Sequence, residues 1–526
     1  MAHGKKVLGF LAAIVMSLGV TACSSGDNSS DGENYVLAYG VEPQNKLIPS
    51  NTNEVGGGRL VDLLYSGLTY YDKDGNTHNE MAESIEPEGD TKYKVTLKDD
   101  IKFSDGTPVK ADNFVNAWNK GMEESHLSAY FYEPIKGFEE GKDKMEGLTV
   151  QDDKTFTIEL NQPEADFPTR LGYSAFFPLK DEALDDLDGF GEKPIGNGPY
   201  KLESWNHNQD ALLVPNPEYK GDREAKNDGI KFVFYAQVDA AYNDLLAGNL
   251  DVLETVPESA FTTFENELGD RAVNKPSAIF QSFTIPERAK HFSGEEGKLR
   301  RQALSLAINR DEITDVIFQG TRTPAKDFSS PVLPGYDENI KGNEILSYDA
   351  EKAKKLWADA DKIAPFTGEF KLSYNADGGH QAWVDATVNS ISNTLGIKAV
   401  GNPYPDFKSF RDDITQGKID GAFRTGWQAD YPSEGNFLEP LYATGGGSND
   451  GKYSNKDFDA KLKEAAGSDS PEEAAKIYNE AQEILMQDLP AIPTWYANTT
   501  GGSSDKVEDV VFSWKEQPLY YQITKK

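Results

Sequence analysis

The chain has 526 residues, a formal net charge of −34 and 11% aromatic residues. That length exceeds what one small core organises and predicts several domains. The acidity excludes nucleic acid as a partner, because phosphate binding needs a basic surface; 24 Tyr, 7 Trp, 47 Gly and 27 Pro fit an ordered, turn-rich protein rather than a disordered tail.

Lys5 and Lys6 precede an apolar run over residues 7–20 that ends in Thr21-Ala22-Cys23. A basic start, a short apolar core and a small-residue cut make a secretory signal. The run is too short to span a bilayer, and no later stretch approaches that length. Cys23 is the single cysteine of the chain. It follows the expected cut, and the pattern resembles a bacterial lipobox, in which the cysteine is diacylated and becomes the mature N-terminus. Residues 24–33 are polar and rich in Ser and Gly, the composition of a flexible tether. The expectation is a lipoprotein signal peptide over 1–22, a lipidated tether over 23–34, and a large body lipid-anchored at the extracellular face of a bacterial cell membrane. With Cys23 used for the anchor, no disulfide forms and stability must come from burial.

Tyr35-Val36-Leu37-Ala38-Tyr39-Gly40 reads as a buried strand, and residues 59–68 as a helix stopping at Gly67. Asp72-Lys73-Asp74-Gly75 reads as a turn between strands. Residues 93–97 and 155–160 alternate with period two, with a helix over 111–118 between them. Ile195-Gly196-Asn197-Gly198-Pro199-Tyr200 predicts a tight turn into a strand, followed by a strand over 231–235 and helices over 239–247, 299–308, 311–318 and 350–360. Residues 370–374, 380–395 and 397–400 make a β-α-β unit. Residues 471–487 form an amphipathic helix opened by a proline, and 519–523 a terminal strand. Strands and helices are mixed throughout, so the class is α/β or α+β with several lobes.

Chemistry is sparse. None of the six histidines sits at a metal-ligand spacing from another, no HExxH or GxSxG occurs, and no Walker lysine follows a glycine loop. Gly196-Asn197-Gly198 begins like a dinucleotide loop, but Pro199 follows and the third glycine is missing, so it reads as a turn. No cofactor, no metal and no catalysed reaction are expected. Phe423-Arg424-Thr425-Gly426-Trp427-Gln428-Ala429-Asp430-Tyr431-Pro432 stands apart. Its glycine lets another backbone approach a strand, Trp427 offers an apolar wall, and Asp430 suits a cation. Residue chemistry alone favours a blander reading, a buried tryptophan beside an acidic turn.

This segment resembles the ligand-site segment of the family 5 extracellular solute-binding proteins, the oligopeptide- and dipeptide-binding components of ABC importers. The resemblance runs in order along nearly the whole body. It includes Leu64-Tyr65-Ser66-Gly67-Leu68, the signature Phe103-Ser104-Asp105-Gly106-Thr107-Pro108-Val109-Lys110-Ala111-Asp112-Asn113-Phe114, and Asn197-Gly198-Pro199-Tyr200. It continues through the helix from Leu299-Arg300-Arg301-Gln302-Ala303 to Ala307-Ile308-Asn309-Arg310, then Tyr453-Ser454-Asn455 and Ile492-Pro493-Thr494-Trp495-Tyr496.

The resemblance implies an α/β, two-lobed, hinge-closing protein of type II periplasmic binding protein topology (class C-like), with an extra domain inserted in the first lobe. Lobe I would comprise 35–77, 194–285 and 497–526, the extra domain 78–193, and lobe II 286–496. An extended oligopeptide would pair like a strand with the backbone of Trp427 and Gln428, where Gly426 leaves room, and with Asn53-Glu54-Val55 on the other lobe. Asp430 would accept the peptide α-ammonium, and Tyr130 would come from the extra domain. Arg424 and His380 would meet the C-terminal carboxylate at different peptide lengths. The chain departs from the family pattern at Phe407, where a pocket tryptophan is replaced, and at Ile414, where an arginine is replaced. The implied partners are the peptide, the permease subunits and indirectly the ATPase subunits, with the receptor itself a monomer. The alternative is the same fold holding a nickel chelate or an oligosaccharide, the latter on the faces of Trp427, Phe407, Trp495 and Tyr496.

Overall fold

The computed structural model describes residues 34–526. The expected signal peptide, the lipidation site Cys23 and the tether up to residue 33 lie outside the described residues. Among the described residues, no helix is long and apolar enough to cross a membrane.

One sheet of 11 strands runs through the body. In chain order its strands are β1 (Val36–Gly40), β2 (Tyr200–Asn206), β3 (Asp210–Pro215), β4 (Ile230–Phe234), β5 (Val252–Leu253), β6 (Ala272–Thr284), β7 (Arg322–Pro324), β8 (Phe370–Asn375), β9 (Ala399–Tyr404), β10 (Ala422–Gln428) and β11 (Ala491–Ser503). The spatial order is β9-β8-β10-β6-β11-β5-β1-β4-β3-β2, with β7 against β11. All 13 residues of β11 are buried, between β6 on one side and β5 and β7 on the other. β6 pairs with β11 antiparallel through two shifts of register, at Pro276/Phe280 and Gln281/Ser282. A separate four-stranded antiparallel sheet, Ala82–Pro87, Lys92–Leu97, Thr155–Glu159 and Leu148–Asp152, carries the period-two segments.

The helices used below are α1 (Val55–Leu64), α2 (Ala111–Glu123), α3 (Gly294–Leu306), α4 (Ala350–Ile363), α5 (Gln381–Leu395), α6 (Phe407–Thr415), α7 (Gly435–Tyr442) and α8 (Pro471–Asp488). α8 starts where Ser470 accepts the Glu473 N–H as an N-cap ahead of Pro471. β8, α5 and β9 form the expected β-α-β unit, with β8 and β9 parallel.

Two large apolar cores result. The first gathers Val36, Leu60, Tyr65, Trp118 of α2, Phe156 and Phe232; the second gathers Phe280, Leu304 of α3, Trp357 of α4, Trp383 of α5, Tyr478 and Trp495. The cores meet at a buried polar joint. There Arg170 pairs with Glu164 at 2.5 Å and lies over the Tyr431 ring at 4.9 Å, Ser433 donates to Asp166 at 2.5 Å, and Tyr478 donates to Glu439 at 3.1 Å. Burial pushes the Glu164 and Glu439 carboxyls up; the Asp166 charge adds to this, and Arg170 pulls both back.

Two sequence expectations are corrected. The helix expected over 59–68 begins earlier and ends earlier, as α1. Glu54 caps it by accepting the Gly57 N–H at 2.8 Å, and the Leu64 carbonyl is taken by the Gly198 N–H at 2.9 Å instead of continuing the helix. The terminal strand expected over 519–523 is a 3-10 turn, Tyr520–Gln522. The Asn227 side-chain amide holds the carbonyls of Tyr520 and Ile523 at 2.9 Å each, and the Tyr520 ring stands edge-on to Phe232. Pairing resumes only at Thr524–Lys525.

Gly196-Asn197-Gly198 is the expected turn, and it docks on the end of α1. Asn197 bonds both backbone groups of Ser66, and a Cβ on Gly198 would meet Leu63 O and Tyr65 N at 2.5 Å. Backbone cannot yield there as a side chain would. Gly198→Ala is therefore expected to lower unfolding free energy by about 3 kcal/mol in urea denaturation, at the upper end of overpacking costs; an unchanged midpoint would refute the docking.

Candidate functional site

β10 pairs along its length with β6, from Ile279↔Gln428 to Thr284↔Phe423. On its other side β8 pairs only with Ala422 and Phe423, then breaks into a turn at Ala376–Gly378. Asn375 makes the break: its amide donates to Asp377 at 2.6 Å, and its oxygen accepts Arg424 Nε at 2.7 Å. From Arg424 to Gln428 the strand therefore has a bare edge among the described residues, a row of N–H and C=O groups open to another chain. Gly426 is exposed on this stretch, and a Cβ there would make only an ordinary contact, 3.5 Å from Phe280 O.

A cavity lies at each end of the edge. The larger, about 480 Å³, is walled by Asn53, Glu54 and Val55 ahead of and opening α1, by Gln428 to Asp430, and by the segment from Ser513 to Tyr521. Its acids are Glu54, Asp62, Glu80, Glu254, Asp430 and Glu516, against the cations Arg59, Arg223 and Lys515. The smaller, about 180 Å³, has Phe407 and Ile414 of α6 and Arg424, Gly426 and Trp427 in its wall. Its charges are Arg411, Arg424 and Asp450, so the two ends of the edge differ in sign.

At the acidic end, burial pushes the Asp430 carboxyl up, while Lys515, a hydrogen bond from Asn436 and Arg170 pull it back. Asn436 of α7 is the organiser: its oxygen accepts the Asp430 N–H at 2.9 Å and faces the Trp427 indole N–H at 3.4 Å. Lys515 Nζ donates to the Asp430 carbonyl at 3.4 Å and lies 5.2 Å over the Tyr173 ring. Trp427 is half-buried, not sealed in a core.

At the basic end, Arg411 forks onto Asp450 through two contacts of 2.6 Å. Arg424 has no carboxylate within ion-pair distance among the described residues. Its guanidinium lies 5.6 Å over Phe407 and 5.9 Å over Phe410. Phe407 is half exposed, whereas Ile414 is sealed into a small core with Phe410, Ile419 and Phe423.

The structure does not gather every residue singled out in the sequence. The Tyr130 side chain is partly exposed, its ring 4.6 Å from Phe131, and lines neither cavity, although burial of its hydroxyl and then the Asp430 charge push that hydroxyl up. His380 also lines neither cavity. Trp383 Nε1 donates to its Nδ1 at 3.1 Å, and burial, then Arg424, push it down to about 4, so it stands there as a neutral imidazole and not as a cation. Trp495 and Tyr496, named as sugar platforms, are each 1% exposed; Trp495 packs on Phe318 and Trp383 and offers no face to a ligand. Conversely, Asn436, Lys515, Asp62 and Tyr173 went unnoticed in the sequence. Among the described residues no group of His, Cys, Asp and Glu is set to hold a metal ion.

A family model described as bacterial extracellular solute-binding proteins, family 5 Middle, matches residues 76–449. The oligopeptide-binding protein OppA of Bacillus subtilis is 25% identical over 531 aligned residues, covering 95% of each chain. The murein tripeptide binding protein MppA, in an unliganded open form, superposes with a TM-score of 0.81 at 22% identity, over 94% of this chain and 99% of its own. OppA of Haemophilus influenzae in complex with the peptide RPPGFSPFR superposes with a TM-score of 0.70 at 23% identity, over the same 94% and 99%. These likenesses show a shared two-lobed α/β fold.

The His380 environment is open to direct measurement. Its ring resonances in an NMR titration should keep the neutral form down to about pH 4; a midpoint near the ordinary histidine value would contradict the geometry.

Proposed function

Because the chain belongs to the family 5 bacterial extracellular solute-binding proteins, which bind solutes and are not enzymes, we propose that it captures extended oligopeptides between two lobes and hands them to the permease of an ABC importer. The observation that carries this reading is the bare edge of β10, running from an acidic cavity to an unpaired arginine. An extended peptide has the same polarity: ammonium at one end, carboxylate at the other, and a ladder of backbone groups between. In the proposed complex Asp430 holds the α-ammonium, while Trp427 and Gln428 supply one backbone ladder beside the open Gly426. Asn53, Glu54 and Val55 face it from the other lobe, and Arg424 draws the carboxylate end. Phe407 walls a side-chain pocket, Tyr130 approaches from the extra domain, and His380 contributes at most a neutral hydrogen bond to longer ligands. The oligopeptide named for the Bacillus relative and the peptide bound by the Haemophilus protein support the same class of ligand. No observation favours a sugar, since two of its four aromatic platforms are buried.

The lobe division proposed is 35–77, 194–285 and 497–526 for lobe I, 78–193 for the extra domain and 286–496 for lobe II. The first core has no buried member between residues 253 and 430, while Ala278, Phe280, Phe283 and Ile285, at the end of the 194–285 segment, pack in the second core. We also propose that Cys23 carries a lipid and holds a monomeric receptor at the outer face of the cell membrane.

Native mass spectrometry of the purified protein should reveal co-purified peptides that leave on denaturation. In calorimetry, Asp430→Asn should weaken peptide binding by about 2 kcal/mol, the scale of a lost charge-assisted bond; unchanged affinity would remove Asp430 from its role. For the anchor, Cys23→Ser should move the protein from the membrane fraction into the soluble fraction; retention in the membrane would count against lipidation.

A further inference from the structure

The acidic cavity holds more carboxylate than its own cations match. Arg59 is paired with Glu254. Arg223 grips Glu80 through Nε at 2.7 Å and Nη2 at 2.9 Å. Glu54 is engaged in capping α1, accepting the N–H groups of Gly57 at 2.8 Å and Gln44 at 3.1 Å, and Glu516 accepts the Ser277 hydroxyl at 2.8 Å. Asp430 and Asp62 remain, with Lys515 as the one cation of the cavity wall that makes no ion pair among the described residues.

Asp62 stands on α1 and lines the same cavity as Asp430. Its carboxylate accepts no hydrogen bond and makes no ion pair among the described residues; burial pushes it up, and the charges of Lys515 and Arg223 pull it back only in part. The two acids share this one cavity; burial pushes the Tyr71 and Tyr173 hydroxyls up, and the charges of Asp62 and Asp430 both add to it. Lys515 is held on the Asp430 side, by the Asp430 carbonyl and the Tyr173 ring. Arg223 donates to the Asp62 backbone carbonyl at 2.9 Å, but its charge is matched by Glu80. Once the cleft closes and dries, an ammonium on Asp430 leaves Asp62 as a carboxylate without a partner, which is strongly unfavourable.

We propose that Asp62 is a second cation anchor, selecting peptides whose first or second residue carries a basic side chain beside the α-ammonium held by Asp430. The inference rests on the peptide reading above and narrows it. Side chains of a strand-like ligand alternate between its two faces. A peptide lying on β10 thus sends one of its first two side chains toward α1, where a Lys or Arg side chain finds Asp62.

Calorimetry on the purified protein tests this with the pentapeptides Lys-Ala-Ala-Ala-Ala and Ala-Lys-Ala-Ala-Ala, each against its counterpart with norleucine in place of lysine. At least one lysine peptide should bind about tenfold tighter than its counterpart, and Asp62→Asn should bring that ratio within about threefold. Asp62→Glu, which keeps the charge, should retain the preference. Equal affinities in the wild type would overturn the inference and leave the peptide reading standing; so would a preference that survives Asp62→Asn, which would place the anchor elsewhere. Failure of all four peptides to bind the wild type would overturn both.

Discussion

The departure of β8 from β10 after the Ser373↔Phe423 pair is the constraint on which the site depends. Backbone N–H and C=O groups must be bonded wherever water is excluded. In an open cleft the edge from Arg424 to Gln428 is satisfied by water and costs nothing. In a closed one it must meet another backbone, so closure without a strand-like occupant is penalised and closure around one is not. Exchange of water for peptide along the ladder changes the net hydrogen-bond energy little. Discrimination is therefore left to the ends, where charge is buried, and to the cavities, where side chains fit.

The same logic explains why Asn436 matters although it need not touch a ligand. One amide oxygen fixes the Asp430 backbone and faces the Trp427 indole, so the acid and the wall of the site share a single reference point at the start of α7. Asn375 does the equivalent service for Arg424 at the other end. Both charged residues of β10 and its continuation are oriented by neutral amides. Each charge is thus held in place without being neutralised.

Much of this was legible in the sequence. The β-α-β unit from Phe370 to Tyr404, the proline-opened α8 and the period-two strands of the small sheet follow from local pattern. Local pattern failed where distant chain decided the outcome. α1 starts at a glutamate cap and stops because Gly198 arrives from far along the chain, and the C-terminal tyrosines form a turn because Asn227 holds their carbonyls. Within the site, the segment around Trp427 and Asp430 carried a recognisable resemblance, while its residue chemistry alone leaned toward a buried tryptophan. Asp62 and Lys515 had no local signature at all. They are distant in sequence and line one cavity only when the chain has folded. His380 was read as a basic group because sequence gives residue type; its burial beside an arginine makes it neutral.

β11 has a consequence for how the two halves of the sheet come together. It is buried along its whole length and forms the seam between the β9-β8-β10-β6 half of the sheet and the β5-β1-β4-β3-β2 half. The strands it joins are far from it in sequence: β5 ends at Leu253 and β6 at Thr284, while β11 begins at Ala491. Without it the halves have no strand to join them, and pairings between segments so far apart in sequence form slowly. Joining the two halves therefore waits on pairings of long sequence separation, which makes it a slow step of folding.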